Sequence, residues 1–433
     1  MNSFFQFLTS GLGMCRSSSY ITRKTNTMKR RQLLETATAA LAASFVPLSV
    51  AAAGARSPLG YIRTNWSHDP FSFGSYSFFA KGSARRHARA LAEPVFDRVF
   101  FAGEATHPDY NSTVHAAYES GLIAADAVNQ TGAQRICVVG AGMSGLAAAS
   151  SLAKSGNDVT ILEARDRIGG RIWTDEGLGA PLDLGASWIH GTEDNPLMVL
   201  AADRSVSTKP TADSFIVRGR GGRLIPDDEQ PDWLDEVISI QHSAGAGSEE
   251  INGLAYVWDN DYQGDDVLFP GGYSQLFSGM TDGVALNLGA QVEQVNYNTE
   301  GTTVQLSGGT ELAFDAVIVT VPLGVLKSAC IRFEPPLSGS KQSAIERLGM
   351  GVLDKVYLKY DSVFWDENIT WIATPENGLP QGHFNQWLNL YPYIGQPIIM
   401  AFNGGQPARD IAALPDDKVL RHAKETLDLA YPS

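Results

Sequence analysis

A glycine-rich turn, placed far from the start of the chain, is the feature that most constrains how this sequence can fold. The run 136–141 opens with apolar, mostly β-branched residues, and glycines stand at positions 140, 142 and 145. An Ala-rich, helix-forming stretch continues to Lys154, and a second apolar run, Asp158–Leu162, ends before Glu163. This order predicts a strand, a tight turn, a helix and a second strand, which together form a dinucleotide-binding unit.

Each glycine of the turn has a physical role in such a unit. Gly140 permits the tight turn, Gly142 lets the backbone approach a pyrophosphate, and Gly145 lets the helix and the strand pack closely. The helix N-terminus offers free N–H groups and a positive dipole end to the phosphate. Glu163 follows at about 20 residues, where a carboxylate can hold ribose hydroxyl groups.

Composition limits the classes of function. A chain of 433 residues with 44% hydrophobic content can bury more than one core. Its formal net charge of -14 argues against a nucleic-acid partner and is compatible with a cationic substrate, although an ordinary acidic protein explains it equally well. Cys15, Cys137 and Cys330 are too few for a disulfide framework, and no pair has metal-ligand spacing. Cys137 and Cys330 lie in apolar runs, which predicts buried thiols.

The first 55 residues have the pattern of an export signal. Lys29, Arg30 and Arg31 precede a mildly apolar, Ala-rich run, and small residues at 51–55 offer cleavage sites. The adjacent arginines predict transport by the twin-arginine machinery and a periplasmic location after cleavage. The alternative is a membrane anchor, but the run is barely long enough to span a bilayer. No stable anchor is expected after cleavage, and Met28 is an alternative start residue.

Two runs after the second strand carry a family resemblance. Residues 163–171, Glu-Ala-Arg-Asp-Arg-Ile-Gly-Gly-Arg, resemble the FAD-binding run of glutathione-reductase-like flavoproteins. Residues 183–191, Asp-Leu-Gly-Ala-Ser-Trp-Ile-His-Gly, resemble the segment of flavin amine oxidases that passes by the flavin ring. The chain is thus identified by resemblance as a flavin-containing amine oxidase, which implies FAD as the cofactor.

The order of the motifs differs from that of the family. Residues 100–121 and 63–77 resemble the segments that close flavin amine oxidases, yet both precede the glycine-rich turn. Later runs at 267–278, 320–326 and 351–360 follow in the family's order. The resemblance therefore implies a circularly permuted chain in which the family pattern runs 134–433 and then 57–130. The alternative is a gene artefact that joins the tail of one oxidase to a truncated neighbour.

The implied fold class is α/β with an α+β substrate domain. A glutathione-reductase-like, FAD-binding Rossmann domain is joined to a mixed-sheet substrate domain. The expected parts are a leader (1–55), the permuted closing segment (56–130), the Rossmann segment (131–196), a shortened substrate segment (197–268), a second FAD segment (269–330) and the substrate-domain sheet with its helix (331–433). Alternating strands are expected at 302–307 and 311–321, and helices at about 112–128 and 416–429. The short 197–268 segment implies a more open site, looser selectivity or incomplete folding.

The resemblance also implies the site residues. The implied cofactor-binding residues are Gly103, Glu104, Thr113, Gly140, Gly142, Met143, Ser144, Gly145, Glu163, Ala164, Arg165, Gly170, Arg171, Gly185, Ala186, Ser187, Trp188 and Val292. The implied catalytic residues are Lys355, Tyr76, Trp66, Thr113 and His190. Strand periodicity places Lys359 on the same face as Lys355.

The family roles leave alternatives open. Lys355 is expected to hold a water molecule at flavin N5, unless it is a strand lysine that points into solvent. Tyr76 is expected to form one wall of an aromatic cage for a cationic amine. Core packing is the alternative for Tyr76 and Trp66, and a satisfied core histidine is the alternative for His190. Ser75 stands where monoamine oxidases carry a flavin-linking cysteine, which implies dissociable FAD.

The implied reaction is that of the polyamine and N-acetylpolyamine oxidase branch. A hydride leaves the carbon next to an amine nitrogen for flavin N5, the imine hydrolyses to an aldehyde and an amine, and O₂ reoxidises the flavin to give hydrogen peroxide. The alternatives are another flavin oxidase of the superfamily, acting on L-amino acids or as a desaturase, and an inactive FAD-binding protein or gene fragment. A panel of amines and amino acids distinguishes them.

Overall fold

The computed structural model describes residues 44–45, 56–256 and 262–432. Most of the predicted leader lies outside the described residues, including Arg30 and Arg31, so its role stays a prediction. Within the described part of the chain, no helix is both long and apolar enough to cross a membrane.

The elements of the described residues are as follows. The strands are β1 (Ser44–Phe45), β2 (Gly60–Arg63), β3 (Tyr76–Phe78), β4 (Val99–Phe101), β5 (Arg135–Val139), β6 (Asp158–Leu162), β7 (Thr174–Asp175), β8 (Leu182–Asp183), β9 (Trp188–Ile189), β10 (Lys209–Pro210), β11 (Phe215–Val217), β12 (Val267–Leu268), β13 (Ala285–Asn287), β14 (Val292–Tyr297), β15 (Thr302–Leu306), β16 (Glu311–Phe314), β17 (Ala316–Val319), β18 (Arg332–Glu334), β19 (Gly349–Gly351), β20 (Leu353–Lys359), β21 (Trp371–Ala373), β22 (Gln386–Asn389) and β23 (Ile398–Gly404). The α-helices are α1 (Arg85–Ala92), α2 (Val114–Thr131), α3 (Met143–Lys154), α4 (Pro196–Asp203), α5 (Asp232–Glu236), α6 (His242–Ala244), α7 (Leu323–Lys327), α8 (Gly339–Arg347), α9 (Tyr391–Ile394), α10 (Gly405–Ala412) and α11 (Asp416–Ala430). A π turn covers Val237–Gln241, and 3₁₀ turns cover Trp66–His68, Glu104–Thr106, Arg220–Gly222, Asp227–Glu229, Gly253–Tyr256 and Tyr273–Phe277.

A five-stranded, all-parallel sheet carries the glycine-rich turn. Its strand order is β13-β6-β5-β17-β4. The central strands β5 and β17 are apolar and buried, apart from Arg135 at the start of β5, which suits strands covered on both faces. Helices α2 and α3 pack so closely that a Cβ added at Gly121 would lie 2.2 Å from Ser144 O. The predicted α/β class is confirmed, and β4 and α2 of this unit precede the turn in the sequence.

A seven-stranded sheet forms the second large unit, with the order β1-β2-β20-β23-β22-β21-β11. All neighbouring strands are antiparallel except β11 and β21. Lys355, Phe402 and Gln386 are partners in register across β20, β23 and β22 and therefore lie side by side on one face. The other face packs against α10 and α11 through residues such as Ile411 and Leu427.

Residues 56–130 are built into both units. Strand β2 pairs with β20, β3 pairs with β19, and β4 pairs with β17. At the start of this segment, Arg56 Nη1 donates to Tyr431 O at 2.7 Å. At its end, α2 stops at Thr131, Gly132 adopts φ 74°, and β5 begins at Arg135. The helix predicted over about 112–128 begins and ends later in the structure. It begins at Val114 because Thr113 is its N-cap, and a last turn that is polar and exposed extends it to Thr131.

The single strand predicted over 311–321 is wrong. The chain forms β16 and β17 there, and these belong to different sheets. The break falls at Asp315, whose carboxylate accepts hydrogen bonds from Gln134 N and Arg135 N and pairs with the Arg135 guanidinium. Alternation in the sequence does not reveal this switch, because the partners of Asp315 lie about 180 residues away.

The cysteine prediction holds for one thiol and is wrong for the other. Cys137 is buried in β5, whereas Cys330 is exposed. Ala329 precedes Cys330 with φ 54°, in the turn between α7 and β18, and this turn leaves the thiol at the surface. Ser328 Oγ donates to Cys330 Sγ at 3.0 Å.

The 197–268 segment is short but has a small core of its own. Val217, Ile225, Leu234 and Ile238 are buried together against Ala373 of β21. The segment therefore covers one edge of the seven-stranded sheet in the described residues.

Asp354 joins β20 to residues 56–130 and provides a test of this packing. Its Oδ1 accepts hydrogen bonds from Thr64 Oγ1 and Trp66 N, both at 2.9 Å. Burial raises the pKa of Asp354 from 3.8 to about 6. Because the folded state disfavours the ionised form, the wild-type chain loses stability as the pH rises from about 4 to about 6, by an amount on the order of 3 kcal/mol.

We predict that Asp354→Asn raises the melting temperature at pH 8, since the amide keeps the acceptor and removes the charge. The gain should shrink as the pH falls towards about 4.5. Thermal unfolding of the wild-type protein and of Asp354→Asn between about pH 4.5 and pH 8 measures this gain in melting temperature. Asp361→Asn, at an exposed position, is the control. A difference that does not depend on pH contradicts the prediction.

Candidate active site

A large open cavity lies at the carboxyl ends of β5 and β6. Its volume is about 1100 Å³ when the space open to solvent is included, and it is walled on one side by the glycine-rich turn and on the other by residues 56–130. Most of the predicted cofactor-binding residues line it. These are Gly103, Glu104, Thr113, Gly140, Gly142, Met143, Ser144, Glu163, Ala164, Arg165, Gly170, Arg171, Ala186 and Val292. Of the predicted set, Gly145, Gly185, Ser187 and Trp188 do not line it.

The turn is shaped by contacts that exclude side chains. Gly140 has φ 107°, a conformation that strains other residues. A Cβ at Gly145 would lie 2.0 Å from Gly140 O, so α3 can approach the turn only with glycine there. At Gly142 an added Cβ would meet no protein atom closer than 4.0 Å. The open space beside Gly142 therefore belongs to the cavity.

Polar groups around the turn fit a phosphate-containing cofactor. Glu163 accepts hydrogen bonds from Ala141 N at 2.7 Å and Arg165 N at 2.8 Å, which holds the turn against β6. Ser144 Oγ, in the first turn of α3, is buried and has no hydrogen-bond partner within the described structure. A buried hydroxyl without a partner is costly, so an anionic ligand at this helix N-terminus supplies what it lacks.

Two ion pairs cross the cavity wall between residues 56–130 and the rest of the chain. Arg171 Nη1 lies 2.8 Å from Glu104 Oε1, and Glu104 also accepts hydrogen bonds from Ser77 Oγ and Ser112 N. Arg165 forms a two-pronged pair with Asp69, at 2.7 and 2.9 Å. Each charge is thereby hydrogen-bonded, which offsets the cost of its burial.

Lys355 lies one layer behind the cavity and is 1% exposed, so the alternative that it points into solvent is wrong. Its Nζ donates to Asp183 O at 2.8 Å, Gly185 O at 2.6 Å and Ser187 Oγ at 2.6 Å. Burial lowers the pKa of Lys355, while burial raises the pKa of Asp183. The ammonium group therefore uses its three donors to hold the loop 183–187, whose Ala186 lines the cavity.

The other predicted catalytic residues lie in different layers. Tyr76 and Thr113 line the cavity, and the Tyr76 hydroxyl donates to His242 O. Trp66 is fully buried in the apolar cluster that includes Tyr76 and Trp188, and it does not line the cavity. Its position fits core packing, the alternative stated for this residue. Trp188 lies between Lys355 and His190: its ring is 5.9 Å from Lys355 Nζ and 6.5 Å from the His190 ring.

Sequence reasoning missed the partners of these residues. Asp69 and Asp266 hold Arg165 and His190, and no local pattern reveals either contact. Asp69 lies within the 63–77 run that resembles the family, which is the one signal that points to its neighbourhood. Thr320 and Pro322 also line the cavity, and both lie in the 320–326 run.

Comparison with known proteins identifies the family of this chain. A family model described as flavin containing amine oxidoreductase matches residues 9–129, 143–243 and 244–433. The chain belongs to this family. It is an FAD-dependent amine oxidase. A model described as pyridine nucleotide-disulphide oxidoreductase also matches residues 97–179, which include the glycine-rich turn.

The relatives place the enzyme near polyamine oxidases. Probable polyamine oxidase 4 of Arabidopsis thaliana is 30% identical over 359 residues, which are 69% of this chain and 71% of the relative. Polyamine oxidase 4 of Oryza sativa subsp. japonica is 28% identical over 67% of this chain and 72% of its own length. The enzyme therefore falls in the polyamine oxidase branch of the family.

Solved structures share the fold. Cyclohexylamine oxidase from Brevibacterium oxydans IH-35A superposes with a TM-score of 0.53 at 21% identity, over 69% of this chain and 81% of that chain. A putrescine oxidase variant also gives a TM-score of 0.53 at 21% identity, over 68% of this chain and 83% of its own. At this identity the likeness concerns the fold alone.

Substitutions of Gly142 and Gly145 test cofactor binding and folding separately. We predict that Gly142→Ala folds with nearly the wild-type melting temperature as apoprotein but binds FAD about tenfold more weakly or worse, because the methyl group enters the cavity. Gly145→Ala should instead lower the melting temperature by several degrees, because its methyl group meets Gly140 O. Flavin fluorescence titration and thermal unfolding measure the two effects. Wild-type affinity in Gly142→Ala would rule out the pyrophosphate at this turn.

Proposed function

We propose that the enzyme binds FAD non-covalently and oxidises a polyamine-like substrate. When bound, FAD accepts a hydride from the carbon next to an amine nitrogen and passes the electrons to O₂, giving hydrogen peroxide. The observation that carries the proposal is the buried Lys355, held by the loop 183–187 directly behind the cavity. Burying a lysine costs folding free energy, which its three hydrogen bonds offset in part.

Residues of the chain bind and orient the cofactor. The turn at 140–142 and the start of α3 hold the pyrophosphate, and Glu163 lies where ribose hydroxyls are bound. Arg171 and Glu104 fix the opposite wall. Lys355 orders the loop 183–187 and so sets the position of Ala186 against the cofactor. It holds a water at the flavin only by releasing one of its three oxygen partners, and the Ser187 hydroxyl is the partner that can rotate away.

A dissociable cofactor fits the position of the cysteines in the described structure. Ser75 stands at the cavity wall where monoamine oxidases carry their linking cysteine, and Cys137 is buried in β5. Cys330 lines the cavity beside Ile331 and Val292, at the end that resembles the adenosine site of the family.

Two observations are compatible with a cationic, polyamine-like substrate. Two relatives with 30% identity are named polyamine oxidases, while two others, with 31% and 30% identity, are named lysine-specific histone demethylases. The net charge of -14 favours the approach of cations.

An anaerobic titration tests this function. The visible spectrum of the purified chain should show bound flavin, and spermine, N-acetylspermine or a simple amine should bleach it without oxygen. Acid precipitation should leave a yellow supernatant, since the cofactor is not covalent. Bound flavin that no amine bleaches contradicts amine oxidation, and a yellow precipitate contradicts dissociable FAD.

Lys355 and Lys359 provide a matched pair in the same experiment. We predict that Lys355→Met keeps FAD but slows flavin reduction about tenfold or more, because the loop behind the cofactor loses its donor. Lys359 lies on the same face and donates to Leu178 O rather than to the loop 183–187, so Lys359→Met should reduce flavin at the wild-type rate. Equal rates in the two variants would remove Lys355 from the mechanism.

We also propose that the sequence order is circularly permuted relative to the family. Residues 56–130 supply β2, β3 and β4, and they contribute Glu104 and Tyr76 to the cavity. Arg56 contacts Tyr431, so the two points that the family order would join lie side by side. The relatives match 69% of this chain, about the share that residues 134–433 make up.

A rejoined chain tests the permutation. We predict that a chain with residue 432 linked to residue 56, and new ends opened within 132–134, binds FAD with the wild-type spectrum. Residues 134–433 alone should be colourless, because they lack Glu104 and Tyr76. A colourless rejoined chain beside a yellow wild-type protein contradicts the proposal.

A further inference from the structure

Two buried polar side chains, His242 and Gln386, meet on the face of the seven-stranded sheet that carries Lys355. His242 Nδ1 lies 2.6 Å from Gln386 Oε1. The second nitrogen of the ring, His242 Nε2, and the amide nitrogen, Gln386 Nε2, are both buried and have no hydrogen-bond partner within the described residues. Leaving buried polar atoms unmet is costly, so their partners come with a ligand or a water molecule.

The pair lies in line with the residues at the cofactor cavity. Lys355, Phe402 and Gln386 are partners in register, so Gln386 stands two strand spacings, about 10 Å, from Lys355. The centroid of the Phe402 ring is 6.0 Å from Lys355 Nζ and 6.0 Å from the centroid of the His242 ring. Tyr76, which lines the cavity, donates its hydroxyl to His242 O. Tyr76 and Phe402 therefore connect the cavity to the pair.

The short 197–268 segment brings His242 to the sheet. Leu234 of α5 packs in one small core with Ala373 of β21, and a π turn leads from α5 to His242 at the start of α6. Such turns within helices are frequent at functional sites. A Cβ added at Gly404 would lie 2.9 Å from His242 Cδ2, so the ring approaches β23 at a glycine. The segment therefore contributes a polar ring to an otherwise largely apolar face.

The pair offers one donor and one acceptor, and it carries no charge. Burial lowers the pKa of His242 to about 4, so its ring is neutral at neutral pH. With Nδ1–H donating to Gln386 Oε1, the ring keeps Nε2 as an acceptor and the amide keeps its N–H groups as donors. Turning the amide over exchanges the two roles and leaves the same set.

This set selects the kind of group that can bind. A secondary amide accepts and donates, so it satisfies both atoms. An ammonium group only donates, so it would leave the Gln386 amide or the ring without a partner. It would also be buried without a counter-charge, since neither side chain is paired with a carboxylate in the described part of the chain.

We infer that the His242–Gln386 pair binds the end of the substrate remote from the oxidised carbon, and that this end is a neutral group that accepts and donates hydrogen bonds, as a secondary amide does. The inference rests on the proposed function and deepens it, because the substrate is then an amine at one end and acylated at the other. The methylene chain between the two ends lies along Phe402. His242 and Gln386 determine specificity and take no part in hydride transfer.

Three amines of equal chain length test the polar end. N-acetyl-1,6-diaminohexane carries the amide, nonylamine carries no polar group there, and 1,8-diaminooctane carries a second ammonium group. Anaerobic flavin reduction at increasing amine concentration gives an apparent dissociation constant and a limiting rate for each. The wild-type enzyme should bind the N-acetyl amine at least about tenfold more tightly than the other two, because only the amide satisfies both atoms.

Variants of Gln386 identify the residue responsible. Gln386→Leu removes the amide at similar volume and should abolish the preference for the N-acetyl amine over nonylamine. Gln386→Glu introduces a carboxylate and should shift the preference at least about tenfold towards 1,8-diaminooctane. Gln381→Leu makes the same substitution at an exposed position and should keep the wild-type ratios. Each ratio compares two amines on one enzyme, so a loss of folded or FAD-loaded protein cancels.

The outcomes are distinct. Ratios in Gln386→Leu that equal those of the wild-type enzyme overturn the inference, and so does a wild-type enzyme that prefers 1,8-diaminooctane. A change of limiting rate shared by all three amines at constant ratios also overturns it and leaves the pair a structural contact. A flavin that all three amines reduce with equal affinity leaves the proposed function standing and overturns only the inference. A flavin that no amine reduces overturns both.

Discussion

The Glu104–Arg171 ion pair is the contact on which the arrangement of this molecule depends. Glu104 belongs to residues 56–130, and Arg171 follows the glycine-rich turn. The carboxylate also accepts hydrogen bonds from Ser77 of β3 and from Ser112, so one buried charge joins a strand and two loops at the cavity wall. Removing one partner would leave the other charge unpaired in a buried place, which costs about 3–5 kcal/mol. The wall on this side of the cofactor site therefore exists only when both parts of the chain are docked.

This arrangement explains why the proposed permuted order is physically acceptable. Parallel strands do not need to follow one another in sequence, provided that each connection stays short and the registers are kept. Strand β4 pairs with β17 although more than 200 residues separate them, and α2 continues into β5 through residues 132–134. The packing of α2 against α3 brings the end of the 56–130 segment to the strand that starts the glycine-rich turn.

Much of the cofactor site could be predicted from sequence because its signals are local. The spacing of Gly140, Gly142 and Gly145 and the position of Glu163 lie within one strand, one helix and the next strand. The fold class could be predicted for the same reason. Long-range partners could not: Asp69 with Arg165, Asp266 with His190, and the three oxygens around Lys355 are brought together only by the sheets. The division of 311–321 into two strands was missed because Asp315 meets its partners across the fold.

Burying Lys355 costs folding free energy and fixes the position of the loop 183–187. Its ammonium group lies between three oxygen partners and the rings of Trp188 and Phe402, and burial shifts its pKa and that of Asp183 in directions that disfavour both charges. An apolar side chain of similar volume would avoid this cost. It would also leave the carbonyl groups of Asp183 and Gly185 to their other donors, Tyr357 Oη and Ser187 Oγ, so that the loop that carries Ala186 into the cavity would lose one of its anchors. A flexible loop there would let the cofactor ring tilt, and transfer between two fixed atoms falls steeply with such misplacement. The buried lysine is thus best understood as a cost in folding free energy that fixes the geometry of the reaction.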